Sequence, residues 1–260
     1  MGEDHPRRRD PGGLIVAPSA GAAPALLQDR QVVIVGGTGS IGLAAAELLA
    51  CHGARVAITG RNEEKLAAAA KRIAGLTIAR CEITDAAQVR ETFSRFGAID
   101  HVVVLAGSAA GGGVLDTPAD KLRFVIEERI WGVVHVIQAA APKIRRGSIT
   151  LTSGLFADRP PKGGAALLAA ALAAVEGLAR ALARELTPLR VNAVSFGCVR
   201  STRHSAMGDE QDAYYRRVGD ALPAGRVGEP REAAQAILFA LSNEYLTGEV
   251  IRLNGGARIG

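Results

Sequence analysis

Tyrosine is missing from the first 213 of the 260 residues; the chain's three stand at Tyr214, Tyr215 and Tyr245. Cysteine is equally sparse, with Cys51, Cys81 and Cys198 far apart and no Cys-x-x-Cys spacing among them. That excludes a disulfide framework and a thiolate metal site, and it fits a reducing cytoplasm, the predicted location. Long basic runs are lacking too: the net charge is +5, yet nothing exceeds Arg7–Arg9 and no aromatics interleave with the basic residues. Nucleic acid is therefore not a predicted partner. The apolar stretch near the N-terminus is broken by Pro11, Pro18, Pro24 and several glycines, so residues 1–29 read as a disordered extension rather than an export signal. The apolar segment 163–187 is too short and too rich in Ala and Gly to read as a membrane span. No membrane contact is predicted.

What is present suits one large globular domain, with 48% hydrophobic and only 22% charged residues. From Gln31 onward, short β-branched runs alternate with helical patterns. The runs are QVVIVGG, RVAIT, LTIAR, HVVVLAG, GSITLTS, RVNAVSF and GEVIRLNGG, and helices begin near Glu63, Asp85 and Pro118. Seven strands separated by helices predict an α/β fold, a single-domain Rossmann-type doubly wound parallel sheet with helices on both faces. Ligands of such a sheet bind at the carboxyl ends of its strands.

GGTGSIG, Gly36 to Gly42, lies where that fold places its cofactor, between the first strand and the first helix. Gly37, Gly39 and Gly42 satisfy G-x-G-x-x-G, and around them Gly36, Thr38, Ser40 and Ile41 complete a loop whose backbone can approach a pyrophosphate. The second strand ends in TGRNEEKL. Gly60 puts no carboxylate at the ribose, and Arg61 can pair with a 2′-phosphate, so NADP(H) is predicted over NAD(H).

These motifs, with CEITD at 81–85, LAG at 105–107, TLTSG at 150–154, LRVNAVSFG at 189–197 and the segment from Gly225 to Ala257, resemble the short-chain dehydrogenase/reductase family over residues 31–256. The resemblance implies cofactor contacts at Glu82, Ile83, Ala106, Gly107, Val199 and Ser201, a substrate lid over 201–230, and subunit pairing through the helix at 163–187 as a homodimer or homotetramer. It also implies a small-molecule substrate.

The departures from the family are specific. The glycine loop follows the T-G-x-x-G-x-x-G spacing of the extended and atypical branches, with Val35 for the leading threonine. Glu82 replaces an aspartate, Val104 and Leu105 replace two asparagines, and Phe196 replaces a proline. The family's Tyr-x-x-x-Lys pair falls at Leu168 and Leu172, inside the run GGAALLAAALAAV, which holds no ionisable side chain. Arg129 stands at the catalytic asparagine's place, and only Ser153, in competition with Gly154 and Leu155, matches the serine. Ser153 and Arg129 are the catalytic candidates, as hydrogen-bond donor and as clamp on a developing oxyanion; His135, His204, Tyr214 and Tyr215 are further donors to consider.

Three classes of function follow: an NADP(H)-dependent oxidoreductase acting on a carbonyl or alcohol with non-standard catalytic residues, a non-redox enzyme such as an isomerase, dehydratase or cyclase, and a nucleotide-responsive binding protein.

Overall fold

The β-branched runs become strands whose two faces are both covered. In β1 (Gln31–Val35), Val33 and Val35 enter one core cluster while Val32 and Ile34 enter the other, the period-two alternation of a strand buried on both sides. The computed structural model describes residues 25–108, 112–202 and 207–259. Six further strands follow: β2 (Arg55–Gly60), β3 (Thr77–Arg80), β4 (Ile99–Val104), β5 (Ile144–Gly154), β6 (Arg190–Phe196) and β7 (Val250–Leu253). They form one sheet in the order β3-β2-β1-β4-β5-β6-β7, with every pairing parallel. The predicted fold is thus the observed one.

Helices α1 (Ser40–Cys51), α2 (Glu63–Arg72) and α8 (Pro230–Ser242) cover one face of the sheet. The other face carries α3 (Ala86–Ser94), α5 (Gly132–Ala140) and α6 (Ala166–Glu185). Helices α4 (Ala119–Ile126) and α7 (Glu210–Asp220) lie in the connections that follow β4 and β6. Local chemistry sets several starts. Asp85 caps α3 through the amides of Ala87 and Gln88, Asn62 caps α2 through that of Lys65, and Glu229 and Glu232 form a capping box on α8.

Helix α6 begins at Ala166 rather than at Gly163 because Gly164, at φ +118°, and Ala165, at φ +77°, carry the chain in the left-handed region. By length and a mean hydropathy of 1.7, α6 could cross a membrane; in the fold it packs on β5 and β6, with Val175, Ala179 and Leu182 in the core. The RVN run at the start of β6 does structural work. Arg190 donates to the carbonyls of Ala240, Leu241 and Leu246 at the end of α8, and Asn192 bonds Leu246 and Glu249 before β7. Upstream of β1, Leu27 is buried and its amide bonds the His52 carbonyl, so residues 25–29 lie along the end of α1.

Candidate functional site

Between β1 and β4 the strand order reverses, and the glycine loop sits at that point. Gly36, at φ +82°, and Gly37 both donate their amides to the carbonyl of Thr59. A Cβ at Gly36 would stand 2.5 Å from the Ala106 nitrogen, one at Gly37 2.6 Å from Ile58, and one at Gly42 2.6 Å from the Gly37 backbone. Gly39 differs: among the described residues nothing lies within 4 Å of where its Cβ would be. Gly39 is also the N-cap of α1, with no side-chain cap and no acidic residue in the first turn. A pyrophosphate suits that combination of close-packed glycines beneath and a helix N-terminus without a side-chain cap above.

Around this cradle, Thr38 packs against Gly60, Ile41 against the α1–α8 core, and Ser40 accepts a 2.9 Å hydrogen bond from the amide of Thr202. That bond joins the loop to the segment after β6. There Val199 is buried, and Ser201 donates its amide to the Tyr215 hydroxyl at 2.9 Å.

At the tip of β2, the Arg61 guanidinium lies 3.5 Å from Glu82 and 3.8 Å from Glu128. Next to Glu82, Ile83 is buried, packs on Gly132, and its carbonyl bonds His135 Nδ1 at 3.0 Å. His135 is therefore placed as a strut between β3 and α5.

Arg129 lies in a π-helical turn, Glu127–Trp131, inserted between α4 and α5. The wider turn changes the helical phase, and consecutive residues Glu128 and Arg129 are both buried. They grip one peptide from its two sides. Glu128 accepts from the Ser108 amide at 2.5 Å and its hydroxyl at 2.6 Å, while Arg129 donates to the carbonyls of Gly107, at 3.0 Å, and Ser108, at 2.7 Å. Gly107 sits under the guanidinium, where a Cβ would come within 2.5 Å of Arg129 Cζ. Arg129 thus holds a positive charge at the end of β4, beside Ala106 and Gly107. Its sequence offered no sign of the paired glutamate.

Ser153 faces α6. Its hydroxyl donates to Glu176 at 2.9 Å and to the Leu172 carbonyl at 3.2 Å, and the residue is only 6% exposed. Glu176 is itself held by Arg252 at 3.1 Å, and Arg252 forks onto Asp158 at 2.7 and 3.1 Å, holding that carboxyl below its ordinary pKa. The hydroxyl proposed as a substrate donor is therefore already part of an ion network. Leu168 and Leu172, where the sequence reading expects the family's tyrosine and lysine, are buried with Val125, Ala165 and Ala171 in a small apolar cluster. A side chain at Gly154 would meet Leu172 at 3.5 Å.

Of the other candidate donors, Tyr215 is buried under Arg200, whose guanidinium lies 4.6 Å from the ring centroid. The Tyr214 ring lies beside it at a 56° tilt, and Tyr214 shares a hydrogen bond with Cys198. His204 lies outside the described residues, as do residues 1–24 of the N-terminal extension.

Topology and cradle together define a Rossmann-type α/β protein with its glycine loop at the switch point. A family model described as enoyl-(acyl carrier protein) reductase matches residues 35–258. An uncharacterised short-chain type dehydrogenase/reductase of Sinorhizobium fredii is 34% identical over 257 residues, covering 90% of this chain and 99% of that protein. A solved small-chain dehydrogenase in complex with NADPH is 33% identical at a TM-score of 0.77, covering 90% of this chain and 100% of the other. Another, a short-chain oxidoreductase from Pseudomonas aeruginosa PAO1 described as containing an atypical catalytic center, is 30% identical at a TM-score of 0.82, covering 89% and 98%. The chain belongs to the short-chain dehydrogenase/reductase family.

Proposed function

We propose that the protein is an NADP(H)-dependent oxidoreductase that reduces a carbonyl, or oxidises the corresponding alcohol, of a small molecule without the family's tyrosine and lysine. The observation that carries this reading is the cradle: three glycines that tolerate no side chain beneath a helix N-terminus without a side-chain cap. In this reading Gly36, Gly37, Thr38, Gly39, Ser40, Ile41 and Gly42 hold the pyrophosphate, Arg61 takes the 2′-phosphate, and Glu82, Ile83, Ala106 and Gly107 line the adenosine. Val199 and Ser201 close over the nicotinamide end. When bound, the dihydronicotinamide supplies the hydride. Arg129 provides the positive charge for the oxyanion that forms on the substrate, and Leu168 and Leu172 exclude water from that side. Ser153 acts as donor only by turning its one O–H away from Glu176 and the Leu172 carbonyl, and the proton comes from solvent.

The same reading includes subunit pairing through α6. Ala166, Ala170, Ala173 and Ala181 are exposed along one side of the helix, and Trp131, 51% exposed, and Phe124, 40% exposed, stand on the helices before it. The three free cysteines support a cytoplasmic location.

Following nicotinamide absorbance with NADPH against a panel of aldehydes, ketones and α,β-unsaturated carbonyls tests the proposal. Oxidation that depends on substrate and falls at least tenfold in Arg129→Ala is the expected result. Tight nucleotide binding with no oxidation across the panel would favour the non-redox enzyme or the nucleotide-responsive binder instead.

A further inference from the structure

We infer that Glu128, together with Glu82, sets the nucleotide selectivity of this site by competing with a ribose 2′-phosphate for Arg61. The inference rests on the nucleotide-binding reading above and adds two specificity-determining carboxylates to it. Both face the same nitrogen. Arg61 Nη1 stands 3.5 Å from Glu82 Oε2 and 3.8 Å from Glu128 Oε1. Each carboxylate is anchored through its other oxygen: Glu82 Oε1 accepts from the Thr84 amide at 3.2 Å, and Glu128 Oε2 accepts both Ser108 donors. They are therefore fixed acceptors rather than swinging surface acids. Glu128 is the more fixed of the two, since its side chain is 4% exposed against 30% for Glu82.

The guanidinium between them is 59% exposed, and its contacts to both acids are longer than hydrogen bonds. Its attraction to them is Coulombic, and its fork is still able to turn onto a phosphate. Charge then decides the outcome. Arg61 faces two anions, and the neighbouring cation, Arg129, is turned onto the carbonyls of Gly107 and Ser108, so the carboxylates flanking Arg61 weaken its hold on a 2′-phosphate and leave a neutral ribose hydroxyl pair untouched. The wild-type protein should thus prefer NADPH over NADH only modestly, and neutralising either carboxylate should widen the gap. Glu128 is legible as part of this site only through the π turn, which brings it inward next to Arg129.

Calorimetric titration of the full chain with 2′,5′-ADP, 5′-AMP, NADPH and NADH, in wild type, Glu82→Gln and Glu128→Gln, reads the effect without turnover. The inference expects the ratio of 2′,5′-ADP to 5′-AMP affinity to rise about fivefold in each variant at low salt; a change that Glu82→Gln makes in adenosine binding is common to both nucleotides and cancels in that ratio. The gain should shrink at about 0.5 M salt. Glu82→Gln, at a half-exposed position, keeps the test decisive if Glu128→Gln fails to fold. A ratio that stays level or falls in Glu82→Gln, or equal weakening of all four nucleotides, would overturn the inference while leaving the nucleotide site in place. Failure of wild type to bind any of the four would overturn the nucleotide-binding reading, and the inference with it.

Discussion

The carboxyl ends of β1 and β5 lie on the same edge of one sheet, yet they carry opposite chemistry. At β1 the chain offers backbone: tightly packed glycines, a helix without a side-chain cap, and no described residue against the Cβ position of Gly39. At β5 it offers carbon and closed ion pairs: Leu168 and Leu172 sit in an apolar cluster, and Ser153 is tied to Glu176, Arg252 and Asp158. Phosphate binding needs amides and room, which this fold supplies through a few glycines, whereas acid–base catalysis needs particular side chains. A sequence can therefore lose the second and keep the first without disturbing the sheet. The two regions should respond to mutation in different ways.

The largest effect is expected at β5. Arg252→Leu removes the cation that neutralises Glu176, which is buried, and should destabilise the protein by about 3–5 kcal/mol in urea unfolding. Next comes Leu172→Lys, which places an ammonium in the cluster with Val125 and Leu168; a loss of roughly 3 kcal/mol is expected by the same measurement. Placing a lysine at this position is thus not a single-residue step. If Leu172→Lys were neutral, the region would be wetter than its burial implies, and the contrast with β1 would weaken.

A third effect depends on pH and marks the core between the two regions. His101 on β4 is buried against Ser148 Oγ, and burial first, then Arg190, lowers its pKa from 6.5 to about 4. As pH falls, the unfolded chain takes the proton before the folded one. Stability should be level above about pH 6.5, fall between 6.5 and 4 by on the order of 3 kcal/mol from this group, and level again below. The His101→Asn protein should lose that segment of the pH dependence in thermal melts. The smallest effects separate the glycines. Gly42→Ala meets the Gly37 backbone and should cost about 1–3 kcal/mol, whereas Gly39→Ala meets none of the described residues and should change stability by less than about 0.5 kcal/mol while weakening nucleotide binding.

The sheet was legible because each strand announces itself in a few neighbouring residues, and α2, α3 and α4 start within a residue of the positions read from Glu63, Asp85 and Pro118. The glycine loop was legible for the same reason: its meaning is contained in seven consecutive residues and the strand before them. What stayed hidden depends on distant partners. Ser153 and Glu176 are 23 residues apart, and Arg252 reaches Glu176 across 76 and Asp158 across 94. Nothing local marks a helical glutamate as buried, so neither Glu128 nor Glu176 stood out in the sequence. Arg129 stood out only because an asparagine was expected there; that it grips Gly107 and Ser108 follows from a π turn with no sequence signal of its own.

The central claim is that the β1 end is a working dinucleotide site. It is tested most directly by calorimetric titration of the purified protein with NADPH and NADH, beside an Arg61→Ala variant. The account predicts that wild type binds both, NADPH the tighter, and that Arg61→Ala weakens NADPH by about tenfold while leaving NADH nearly unchanged. Absence of binding by either nucleotide, or an Arg61→Ala variant that treats both as wild type does, would contradict it.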